Sequence, residues 1–113
     1  GRLAVVKVLV EAGVNLDARN NRGATPLHSV CRHDEPEIAS VLLEAGATVD
    51  ATDDDGESPL FWAMEWNKMR CLNVLLSHGA DINHRDNRGR TPLSTAINDN
   101  RLEALELLLE NGA

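Results

Sequence analysis

The chain has 113 residues, 26% of them charged, and a formal net charge of -7. That length suits one ordinary domain, and the acidic balance argues against a nucleic-acid backbone as ligand, because phosphate binding calls for a basic face. No apolar run approaches the roughly 18 residues of a membrane span, so no direct membrane contact is expected.

Read in chain order, the elements repeat. A first segment carries Val5, Val6 and Leu9 and closes on Leu9-Val10-Glu11-Ala12-Gly13-Val14. Then comes Gly23-Ala24-Thr25-Pro26-Leu27, which returns as Gly56-Glu57-Ser58-Pro59-Leu60 and as Gly89-Arg90-Thr91-Pro92-Leu93, a period of 33. Thr25, Ser58 and Thr91 are good helix N-caps, and the proline after each fits the first helical position, where its missing N–H would have no partner. The helix behind each proline carries an apolar stripe at i, i+3 and i+4: Leu27, Val30 and Cys31; Leu60, Ala63 and Met64; Leu93, Ala96 and Ile97.

These helices are expected to end near Asp34, Asn67 and Asn100, because Asx residues tolerate a left-handed turn; Gly1 fits the same slot in the first, partial copy. A second helix follows with Ile38, Val41 and Leu42, then Leu72, Leu75 and Leu76, then Leu105, Leu108 and Leu109. Gly46, Gly79 and Gly112 stop it. A fixed period of this kind means a stack of supersecondary units. Val5, Val6 and Leu9 at one end and Leu107-Leu108-Leu109 at the other are expected to expose apolar surface. Further repeats or other domains are therefore expected at both ends.

The period and Thr25-Pro26-Leu27-His28 resemble the ankyrin repeat. The resemblance covers essentially the whole chain and implies an all-α repeat solenoid: stacked helix-turn-helix pairs with hairpin-like fingers projecting at 47–56 and 80–89. It divides a single domain over 1–113 into a partial repeat (1–19), full repeats (20–52 and 53–85) and a final repeat lacking its following finger (86–113). It also implies a non-enzymatic protein-protein interaction module, with a partner protein or peptide on the concave face and finger tips. His28 is then structural, tying neighbouring turns.

Motifs that imitate other chemistry fall away. His84-Arg85-Asp86 looks like a kinase catalytic loop, but Thr91 stands where that motif needs asparagine. Asp53-Asp54-Asp55-Gly56 lacks the spaced ligands of a calcium loop and is expected to be a solvated acidic tip. No serine or cysteine sits beside a base-and-acid pair, so no catalytic residue is expected, and no motif calls for a metal or cofactor. Cys31 and Cys71 fit neither a zinc site nor a disulfide framework. Free thiols in a reducing compartment, cytoplasmic or nuclear, are the expectation.

Partner-facing slots are the places where the repeats differ. All three aromatics fall in Phe61-Trp62-Ala63-Met64-Glu65-Trp66, and Trp62 and Trp66 share one helix face. The candidate surface comprises Arg22 on the first finger, Asp54, Asp55 and Glu57 on the second, Trp62, Glu65 and Trp66 behind it, and Arg88, Arg90 and Asn98 in the third repeat. Arg22 and Arg88 are placed to pair with Asp54 and Asp55 on the finger between them. A spacer or regulatory segment of a larger protein, such as a ligase adaptor, channel or kinase, is the alternative role. A reader of methylated lysine is a narrower one. Asn83 resembles the asparagine that an intracellular hydroxylase modifies in ankyrin fingers.

Overall fold

The structure is a computed structural model that describes residues 2–112. Those residues form α1 (Arg2–Glu11), α2 (Pro26–Arg32), α3 (Pro36–Glu44), α4 (Pro59–Glu65), α5 (Met69–Ser77), α6 (Pro92–Asn98) and α7 (Leu102–Glu110), with no strand among them. The pairs α2–α3, α4–α5 and α6–α7 pack within repeats, and each helix packs on its counterpart in the next: α2 on α4 and α4 on α6 in one layer, and α1 on α3, α3 on α5 and α5 on α7 in the other. The result is a rod-like stack 41 Å long. No described helix is long and apolar enough to cross a membrane.

The helix starts follow the sequence with one exception. Thr25, Ser58 and Thr91 all take extended backbone before their prolines. Thr91 and Ser94 cap reciprocally: Ser94 N–H donates to Thr91 Oγ1 at 3.2 Å and Thr91 N–H to Ser94 Oγ at 3.0 Å. Thr25 and His28 do the same, with Thr25 N–H donating to His28 Nδ1 at 3.1 Å. Ser58 departs from the expectation, because its Oγ is buried without a hydrogen-bond partner. Its counterpart three residues on is Phe61, which has no polar atom to bond back to the cap backbone, and Phe61 N–H goes to the Ser58 carbonyl at 3.0 Å instead.

Asp34, Asn67 and Asn100 end the first helices in the left-handed region, at φ 53°, 55° and 55°. Gly1, assigned to the same slot, lies outside the described residues. The stripes of α2 and α4 are core: Leu27, Cys31, Leu60 and Met64 are all but inaccessible, and Leu72, Leu75 and Leu108 join them from the other layer. The last stripe thins out, with Leu93 half-buried and Ile97 exposed. The leucine triplet near the end also splits, because Leu108 faces inward and only Leu109 is well exposed. Cys31 and Cys71 are free, buried thiols. The neighbouring Cys71 thiol, and then burial, push the Cys31 thiol well up from its ordinary range, while Cys71 Sγ–H donates to the Val30 carbonyl at 3.7 Å.

The fingers are tight turns rather than strand ladders. Asn20, Asp53 and Asp86 each use Oδ1 to accept two backbone N–H groups, those two and four residues further on. Neighbouring fingers are joined by Asp54 N–H to the Arg22 carbonyl (2.9 Å) and Asn87 N–H to the Asp55 carbonyl (3.0 Å). Glycine is obligatory where fingers meet. Gly56 sits at φ 75°, and a Cβ there would lie 2.8 Å from Asn87 N.

Candidate functional site

Two grooves flank the middle finger. The first, about 400 Å³, runs between the first and second fingers and is floored by Trp62, Glu65 and Trp66 of α4 and its C-cap. The second, about 310 Å³, runs between the second and third fingers, where Arg88 and Arg90 face Asp86, Thr95 and Asp99. Asp55, Glu57 and Glu65 line both. Of the residues singled out in the sequence, Arg22 and Asp54 fall in the first groove and Arg88 and Arg90 in the second, while Asn98 lines neither.

The two tryptophans occupy different environments. Trp62 is half-buried: its Nε1–H donates to Asp53 Oδ2 at 2.8 Å, and its ring meets the His28 ring edge-on, with centroids 5.0 Å apart. Trp66 is 45% exposed, and the Arg32 guanidinium lies over it, 4.8 Å from the ring centroid. So Trp62 braces the stack while showing one edge to the groove, and Trp66 offers a face already covered by a cation.

Asp53 is a correction to the sequence reading. Asp54 and Asp55 are solvated tips, but Asp53 is only 7% exposed, and its oxygens are taken by Asp55 N–H, Glu57 N–H and the Trp62 indole. Oxygens of Asp53, Asp55 and Glu57 lie within 4.8 Å of one another, close enough to hold a cation. Asp53 already spends its lone pairs on three N–H donors. A signal for its role was present in the sequence: Asn20 and Asp86 hold the same slot one period away on either side. Arg32 gave a weaker signal, since its counterparts Glu65 and Asn98 have unrelated chemistry.

The ion pairs also differ from expectation. Neither Arg22 nor Arg88 pairs with Asp54 or Asp55 among the described residues. The bridging arginine is Arg90, whose Nε donates to Asp86 Oδ2 at 2.8 Å and whose Nη2 reaches Glu57 Oε2 at 3.3 Å. Burial works to raise the Asp86 carboxyl, yet hydrogen bonds from Arg90 and Arg88 hold it below its ordinary range. For Glu57 the balance tips the other way. Burial, then the negative charges of Glu65 and Asp53, push it up to about 7 against the pull of Arg90.

Histidines here are structural. The His28 Nε2–H donates to the Glu57 carbonyl at 2.9 Å while Nδ1 accepts from Thr25 N–H, so the neutral ring satisfies both neighbours. Burial accordingly holds His28 below its ordinary range. Phe61 cannot make the equivalent tie from the second repeat. His84 supplies one instead, with Nε2–H donating to the Gly56 carbonyl at 3.0 Å. The kinase-like His84-Arg85-Asp86 is thus a finger tie followed by the turn-forming aspartate. Asn83 is exposed in the turn before it and lines neither groove.

A stack of two-helix units, tied at one edge by turns that carry charged and aromatic groups, defines a helical repeat solenoid. The family model for ankyrin repeats (3 copies) matches residues 1–86 and again residues 46–113, so the chain belongs to the ankyrin-repeat family. A comparison with curated proteins returned no match. Ankyrin repeats are generally modules that bind other proteins and are typically non-enzymatic.

Proposed function

We propose that this domain binds a partner protein or peptide across the finger-side face, seated on Trp62 and Trp66 and flanked by Arg22, Asp54, Asp55, Glu57 and Glu65, with Arg88, Arg90 and Asn98 meeting it further along. The carrying observation is Trp66, a large aromatic 45% exposed on the floor of the first groove. A tryptophan can bury about 150–250 Å² and commonly anchors an interface. The test is affinity for the native partner. Trp66→Ala should cost about 2 kcal/mol of binding with little change in melting temperature. Trp62→Ala should lower both affinity and stability, because it also strips the indole from Asp53. Unchanged affinity in both variants would sink the placement.

A methylated-lysine version is less favoured, since a quaternary ammonium is held by several converging rings and Trp62 is engaged with His28. A second role, as part of a longer array or a multidomain protein, is favoured by the exposed Val5, Val8 and Leu9 at one end and Ile97, Leu102 and Leu109 at the other. Further repeats or domains would cover these faces. An intracellular setting, cytoplasmic or nuclear, suits the buried free thiols. Asn83 is accessible to a modifying enzyme, and mass spectrometry of the native protein tests that.

A further inference from the structure

The first groove holds five carboxylates and only two arginines, Arg22 and Arg32. Neither arginine makes an ion pair with those carboxylates among the described residues. The Arg32 guanidinium instead lies over the Trp66 ring, 4.8 Å from its centroid. Negative charge is therefore left uncompensated beside a tryptophan face that already accepts a guanidinium supplied by the chain itself.

We propose that the first groove takes an arginine side chain from a partner polypeptide, which displaces Arg32 from Trp66 and pairs with Glu65 and Glu57. The inference rests on the docking reading above and gives it a partner chemistry. Charge complementarity selects a cation, and the planar guanidinium, unlike an ammonium, can stack on the indole while forking onto a carboxylate.

Glu57 is central because it lies where the two grooves meet. Asp53 and Asp55 face it from its own finger and Glu65 from α4, while Arg90 of the third finger is the one cation paired with it among the described residues. His28 bonds to its carbonyl and is held neutral by burial, and His84 bonds to the adjacent Gly56 carbonyl. With Glu57 poised at about 7 in the free protein, a second cation lowers it toward the ordinary carboxylate range. The proton is released on binding, so affinity rises with pH through neutrality.

The experiment is selection of a random dodecapeptide display library on the intact chain at pH 8, with the enriched peptides synthesised and their dissociation constants measured by tryptophan fluorescence. Expected are arginine-bearing peptides whose binding falls on Trp66→Ala and tightens on Arg32→Ala, the internal competitor having gone. Their affinity should be about tenfold higher at pH 8 than at pH 6 for a group titrating near 7, and Glu57→Gln should flatten that profile. Peptides that need Trp66 but carry no arginine would overturn the inference and leave the docking site standing. Peptides indifferent to both tryptophans, or no enrichment at all, would overturn both. A flat pH profile in the wild type would overturn the proton release, and weaker binding by Arg32→Ala would overturn the displacement.

Discussion

The two grooves beside the middle finger each set two arginines against five carboxylates, yet they dispose of those charges differently. In the second groove Arg90 spans Asp86 and Glu57, so one side chain answers two acids and the site is largely settled internally. In the first, Arg32 is spent on an aromatic face, and Asp54, Asp55 and Glu65 have no ion-pair partner among the described residues. Equal formal charge therefore does not mean equal readiness to bind. What separates the grooves is whether a guanidinium can reach a carboxylate within its own fold.

The same contrast runs through the backbone behind them. The helix flooring the second groove, α6, begins with a reciprocal Thr91–Ser94 cap, whereas α4, flooring the first, begins at Ser58 with an orphaned hydroxyl. The tie between repeats shifts as well. His28 bonds from a helix to the second finger, and after Phe61 replaces that histidine the bond comes from His84 on a finger.

The largest effect that could break the comparison lies at the finger contacts. Gly56→Ala puts a Cβ 2.8 Å from Asn87 N, against backbone and at positive φ, and should cost about 2 kcal/mol or more in denaturant unfolding. Gly23→Ala should cost less, because the backbone it meets, Asp54 N, lies 3.0 Å away, and its nearer obstacle, Asp54 Oδ1 at 2.5 Å, is on a side chain that can turn. Gly89→Ala meets nothing within 4 Å and should show backbone strain alone, about 1 kcal/mol. Equal losses at all three would mean that the fingers do not hold the grooves.

Next in size are the caps. Thr91→Ala should lower stability by about 1 kcal/mol, whereas Ser58→Ala should change it by no more than a few tenths or raise it, since it removes a buried hydroxyl that makes no bond. Thermal melts of the two variants sharpen the contrast between α4 and α6 directly.

A further effect is electrostatic and depends on pH. Glu57 titrates higher folded than unfolded, so its contribution to stability is present below its ordinary value of 4.5 and lost as pH rises through about 7. Glu57→Gln should therefore raise the melting temperature relative to wild type at pH 8 and do so much less at pH 5. A difference independent of pH would place the Glu57 titration elsewhere.

The family, the helix order, the prolines at helix starts and the left-handed Asp34, Asn67 and Asn100 were legible in the sequence by itself. Each depends on neighbours within one turn or on a pattern that repeats every 33 residues, so local chemistry suffices. The candidate surface was legible only in outline. Side chains that meet across 29 to 36 residues, as His28 does the Glu57 carbonyl and Arg70 does Asp34, are chosen by reach and rotamer once the repeats have stacked. Trp62 and Trp66 share a helix face in sequence, but only the fold could turn the first toward Asp53 and His28 and leave the second under Arg32. Asp53 and Asp54 are adjacent and chemically identical. The finger turn buries one under three N–H donors and leaves the other in water, because a carboxylate withdrawn from solvent must have its lone pairs met.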